Sequence, residues 1–124
     1  MPKRVVLVGH CGPDSSYLTM AVRSALKDAQ VTAADSESEL DAELVAGASL
    51  LLLNRVLDYG FATNSGVELL QDLKQKHPNL KAMLVSNYAD AQAAAVKAGA
   101  LPGFGKRDIG SAKVKEMLQG AIAG

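Results

Sequence analysis

The sequence predicts an α/β protein: five βα units, giving a five-stranded parallel sheet with helices on both faces. Three observations lead there. Short, unbroken apolar runs occur at residues 5–8, 50–53 and 82–85. Strands buried on both faces look like this, because helices cover both sides of a parallel sheet. Longer amphipathic stretches separate the runs, and alternation of this kind favours parallel strands joined by right-handed crossovers. No internal repeat or low-complexity linker breaks the order, so residues 1–124 read as one domain.

The elements follow in turn. Val5, Val6, Leu7 and Val8 form the first strand. Leu18, Val22, Ala25 and Leu26 then recur at helical spacing. Asp14, after Gly12 and Pro13, is the expected N-cap of that helix, with Ser15 and Ser16 as competitors. Residues 31–34 make a weaker, edge-like strand. Ser36 is the expected N-cap of the second helix, with Glu39 three residues on and Leu40, Leu44 and Val45 on its apolar face. The leucines at 50–53 are the third strand. Val67, Leu70 and Leu73 mark a third helix that ends before His77-Pro78. After the strand at 82–85, an alanine-rich helix over 89–98 is closed by Gly99. Residues 103–105 are a second weak strand. Val114, Met117, Leu118, Ala121 and Ile122 mark the last helix.

Composition narrows the function classes. Hydrophobic residues make up 48% and charged residues 21%, an ordinary globular balance. Lys and Arg number 13, as do Asp and Glu. That neutrality calls for neither nucleic acid nor an anionic membrane, and the short basic clusters at 3–4, 74–76 and 106–107 read as solvated charge. Cys11 is the single cysteine, which excludes an internal disulfide and suits a reducing compartment. Only four apolar residues follow Lys3-Arg4, too few for a signal peptide or a membrane span. The expectation is a cytoplasmic protein.

In open parallel sheets the ligand crevice lies beyond the carboxyl ends of the strands. The segments there are 9–14, 54–65, 86–88 and 105–108. From Leu50 to Lys106 they carry a resemblance. The run "SGVELLQDLKQKHPNLKAMLVSNYADAQAAAVKAGALPGFGK" resembles the receiver domain of two-component response regulators in order and spacing. The Gly-x-Glu-Leu-Leu helix start, the His-Pro turn, the strand ending at Ser86, the helix ending in Gly99-Ala100 and Lys106 all fit, and the five βα units extend the likeness over the chain. The resemblance implies a flavodoxin-like (βα)5 doubly wound sandwich. It implies a phosphoacceptor Asp after the third strand and an acidic pair after the first, which together hold Mg²⁺. It also implies a Ser or Thr and a Lys that contact the phosphoryl group.

Ser86 and Lys106 match that pattern. Asn54 stands at the acceptor position, and Gly9-His10, or His10-Cys11, stands where the acidic pair belongs. The loop after Asn54 is longer than the family's, and Arg107 follows Lys106 in place of Pro. A carboxamide offers no ionised oxygen for an acyl phosphate. Mg²⁺ favours charged oxygen ligands. No cofactor is therefore expected, with Mg²⁺ binding absent or weak even after Asn54→Asp. A pocket holding Lys106 and a protonated His10 would repel Mg²⁺ and attract an anion.

Two carboxylates could rescue the site. Asp14 competes with its capping role, and Asp58 lies in a loop with Gly60 where Asp commonly makes a turn. His10 and Cys11 are metal-ligand types, but two neighbours fall short of a zinc set, and His77 belongs at the opposite end of the sheet. Cys11 reads structurally as a small, mostly buried thiol. The stretch "HCGPDSS" is also similar to the phosphocysteine loop of sugar-phosphotransferase IIB subunits, since a helix N-terminus can hold a phosphate and activate a thiol. Its glycine spacing differs from that loop, and Pro13 removes a donor. Tyr17 stands where a tyrosine-phosphatase loop needs Arg. Phe104 reads as core, with a switch aromatic as the alternative. Tyr59 and Phe61 either form an exposed partner-contact surface or fold back as a lid.

The function expected is a stand-alone, atypical receiver-like signalling module, not an enzyme. It would act by phosphorylation-independent contact with a protein partner or by self-association. The resemblance implies the fourth helix, last strand and fifth helix as the contact face. The alternatives are a phosphocysteine carrier or thiol enzyme using Cys11, and a receiver phosphorylated at Asp58.

Overall fold

A computed structural model describes residues 3–57 and 60–123. Asp58 and Tyr59 therefore lie outside the described residues. The order of elements is β1 (Arg4–Val8), α1 (Gly12–Ala25), β2 (Gln30–Ala34), α2 (Glu37–Val45), β3 (Leu50–Asn54), α3 (Gly66–Lys76), β4 (Ala82–Val85), α4 (Ala89–Lys97), β5 (Leu101–Phe104), a 3₁₀ turn (Lys106–Asp108) and α5 (Ala112–Ala123). The strands form one parallel sheet in the order β2-β1-β3-β4-β5. The order reverses between β1 and β3, which opens a crevice beyond their carboxyl ends.

Side-chain alternation divides the core into two layers. Val6, Val8, Leu51, Leu53 and Leu84 face α2, α3 and α4, meeting Leu40, Leu70, Leu73 and Ala95. Val5, Leu7, Leu50, Leu52, Met83 and Val85 face α1 and α5, meeting Leu18, Val22, Val114 and Leu118. Burying each such side chain contributes roughly 1.5–3 kcal/mol. The same parity explains why β1, β3 and β4 read as unbroken apolar runs: both of their faces are inside. The edge strands β2 and β5 are only partly covered, and their sequences are correspondingly weaker.

The capping chemistry is local. Ser36 accepts from the Glu39 amide at 3.2 Å, and the Glu39 carboxylate accepts from the Asp35 amide at 2.7 Å. Ser65 caps α3 through the Glu68 amide. α3 stops at Lys76, ahead of Pro78. Gly99, at φ 111, closes α4.

Two boundaries differ from expectation. α1 starts at Gly12, with Cys11 at the N-cap, so Asp14 lies inside the first turn and caps nothing. Pro13 is the reason: its fixed φ and missing N–H suit the first helical positions and pull the start upstream. β5 spans Leu101–Phe104, not 103–105, and carries a bulge, since Met83 pairs Leu101 while Val85 pairs Phe104. Pro102 has no N–H to give to β4. The Gln92 side-chain amide of α4 fills that gap, donating to the carbonyls of Leu84, Ser86 and Phe104 at 2.9, 3.0 and 3.2 Å. Phe104 is buried in the core, as its core reading required.

Candidate functional site

The strand ends deliver their side chains as topology dictates. Asn54 closes β3, Gly9 and His10 follow β1, Ser86 follows β4 and Lys106 opens the turn after β5. Asn54, Ser86 and Lys106 line one cavity of about 260 Å³ together with Arg55, Val56, Asn87 and Tyr88. Three of the expected pocket residues therefore come together.

Asn54 is fully engaged. Its Nδ2 donates to the carbonyls of Gly9 and Val56, both at 3.0 Å, and its Oδ1 accepts from the Arg55 amide at 3.0 Å. The two carbonyls can only accept, so this environment specifies an amide. A carboxylate there would face two carbonyl oxygens with no hydrogen to give.

Gly9 is closed off. It sits at φ 72, and a Cβ on it would come 2.5 Å from Leu57 Cδ2. Residue 9 thus disfavours a side chain on backbone grounds, and a Cβ there would also have to displace the Leu57 methyl. Leu57 and Phe61 are both buried. They are delivered by the long loop after β3, which is laced together by a bridge between Val56 and Ser65 and by the Leu57 amide on the Asn64 carbonyl at 2.9 Å. The loop is tied to the start of α2 as well. The Gly60 carbonyl accepts from the Glu37 amide at 2.8 Å, and the Glu37 carboxylate accepts from the Ala62 amide at 2.6 Å. Phe61 is consequently not part of an exposed contact surface: it and Leu57 fill space beside Gly9, just past the end of β1. Burial of Phe61 stabilises this arrangement more than exposure could.

His10 turns inward. It is 7% exposed, and its Nε2 lies 2.8 Å from the Leu52 carbonyl. A carbonyl accepts only, so Nε2 carries the proton and Nδ1 is a bare acceptor. Burial pushes the His10 pKa below its ordinary value. The Leu52 carbonyl, Asp14 and Asp35 oppose that push and Lys106 adds to it. The lowered pKa favours the neutral imidazole over the protonated form considered for this pocket.

Lys106 does not stand alone either. Its Nζ lies 2.9 Å from an Asp14 carboxylate oxygen, and this contact, first among the causes, holds the Asp14 pKa below its ordinary value. Asp14 thus reaches the edge of the site as the partner of Lys106. Cys11 is exposed rather than buried, because the upstream start of α1 leaves it at the helix tip beside Asp14.

Ser86 is buried and accepts from the Tyr88 amide at 3.1 Å. Across the cavity the Arg55 guanidinium lies 4.5 Å from the centroid of the Tyr88 ring. Sequence reasoning missed this pair. The pairing of Asn54 with Val85 in register contained the clue, since it sets the residues following β3 beside those following β4. Among the described residues no three His, Cys, Asp or Glu side chains gather as a metal-binding group. Gly9, His10 and Asn54 supply no ionised oxygen, and the Asp14 carboxylate is held by Lys106, so these residues do not fit Mg²⁺.

The backbone matches known structures. The signal receiver domain of a DNA-binding response regulator from Colwellia psychrerythraea superimposes with a TM-score of 0.77 at 13% identity, covering 98% of this chain and 99% of that one. A response regulator from Thermotoga maritima gives 0.75 at 21% identity over the whole of both chains. The beryllofluoride-activated NtrC4 receiver domain dimer gives 0.77 at 17%, covering 97% and 96%. The fold is that of a receiver domain. No protein-family model matches the sequence, and no curated protein matches it. Among the described residues of this receiver fold, no helix is long and apolar enough to cross a membrane.

Proposed function

We propose that the chain is a cytoplasmic, receiver-like signalling module that works by protein–protein contact without aspartyl phosphorylation, and not an enzyme. One observation carries this reading: the Asn54 amide, at the position that the resemblance assigns to the acceptor carboxylate, bonds the carbonyls of Gly9 and Val56. The residue is used as a structural tie, and the groups around it are selected for an amide. The contact face is α4, β5 and α5, where Tyr88 and Val96 are exposed. Partner binding there would select between arrangements of α4 without a phosphoryl input.

The Cys11 phosphocarrier reading has exposure in its favour. The adjacent Asp14 carboxylate opposes it, because it repels an incoming phosphoryl group. Incubation with a small-molecule phosphodonor and Mg²⁺, followed by intact mass measurement, tests the proposal. No phosphoryl adduct is expected. An adduct abolished by Cys11→Ser would replace the proposal with a phosphocysteine carrier, and one abolished by Asp58→Asn would replace it with a displaced acceptor.

A further inference from the structure

A groove of about 600 Å³ lies between α1 and α5, away from Asn54. Ligand cavities commonly measure ~300–1,000 Å³, are mostly apolar and place a few polar groups with care. Ile109 is buried at its floor, whereas Tyr17 and Met20 stand 61% and 68% exposed along its α1 side. Large apolar side chains left that open, lining one concavity, present apolar surface for a ligand to cover.

The charge on the rim is one-sided. Lys106, Arg107 and Lys115 line the groove, and among the described residues no carboxylate does. This occurs in a chain whose formal charges cancel. Asp14 engages Lys106, but Arg107 and Lys115 make no ion pair among the described residues. The Ser24 and Ser111 hydroxyls add hydrogen-bonding capacity beside the cations.

We infer that the groove between α1 and α5 binds a small molecule with an apolar body and one anionic head, the body on Tyr17, Met20 and Ile109 and the head on Arg107 and Lys115. The volume suits one such molecule, and the cations select its charge. Because Lys106 lines both this groove and the cavity at Asn54, an occupant would alter the field in that cavity. The inference stands whether or not Asn54 is inert.

Monomeric decanoate is a suitable probe, followed by amide chemical shifts of the isotope-labelled full chain. Saturable shifts confined to α1, the turn at 106–111 and the start of α5 are expected. Decanol and decyltrimethylammonium should bind at least about tenfold more weakly, the scale set by charge contacts at a protein surface. The double variant Arg107→Gln, Lys115→Gln should lose decanoate affinity by about the same factor with an unchanged far-UV spectrum. Met20→Asp should lose it also. Equal binding of all three amphiphiles, or the absence of saturable shifts, would overturn the inference. So would concentration-dependent shifts of the same residues without a probe, which would assign the groove to a second copy of the chain.

Discussion

The two sides of the crevice differ in kind. On the β1–β3 side, Leu57 and Phe61 fill the space beside Gly9, and Asn54 ties the Gly9 and Val56 carbonyls together. On the β4–β5 side, Ser86, Lys106 and the Arg55–Tyr88 pair still border an open cavity. The first side is mostly packing, while the second presents groups that could meet a ligand. Asn54→Asp alone would leave Leu57 beside Gly9 and bring no second carboxylate to that side.

Substitutions should reveal the same asymmetry. Phe61→Ala should have the largest effect, about 3–5 kcal/mol lost in urea unfolding, since it removes a buried aromatic from the plug. A loss below about 1 kcal/mol would mean that the loop does not pack as described. Asn54→Asp comes next, at about 1–3 kcal/mol, because two donors disappear and two carbonyls confront a carboxylate. Mg²⁺ should not restore that loss, and a titration recovering stability at millimolar Mg²⁺ would contradict the reading that these residues do not fit the ion.

A pH effect should be smaller. The folded pKa of His10 lies below its ordinary value of 6.5, so the unfolded chain binds the proton more readily. The stability linked to His10 is complete above pH 6.5 and falls as the pH drops below it. Unfolding midpoints of the wild type and His10→Gln across that range should converge towards acid if this is right, and run parallel if it is not. The smallest effect belongs to the open side. Lys106→Met removes a partly exposed ion pair with Asp14 and should change stability by about 0.2–1 kcal/mol, less in high salt.

Much of the architecture was legible. The apolar runs at β1, β3 and β4 advertise two-sided burial, and the Ser36 and Glu39 pairing announces α2. The edge strand β5 was harder, because Pro102 and Gly103 build a bulge that no periodicity describes. Asn54, Ser86 and Lys106 could be placed from strand ends alone. The loss of Asp14 from the N-cap followed from Pro13, a local rule outweighed by the stronger one beside it. The fate of Phe61 could not be read locally, since it depends on a loop meeting residues far away in sequence, at Gly9, Asp35 and Glu37. The inward turn of His10 depends likewise on the Leu52 carbonyl, 42 residues away.

The Gln92 amide has a mechanical consequence. It belongs to α4, yet its two N–H groups are shared among the carbonyls of Leu84, Ser86 and Phe104, so a slide or tilt of α4 would strip hydrogen bonds from the β4–β5 edge and from Ser86. Gly103 leaves no slack for a repositioned side chain, since a Cβ there would lie 2.0 Å from the Leu84 carbonyl oxygen. A load applied to α4 therefore reaches the open cavity through Ser86, as through a rivet.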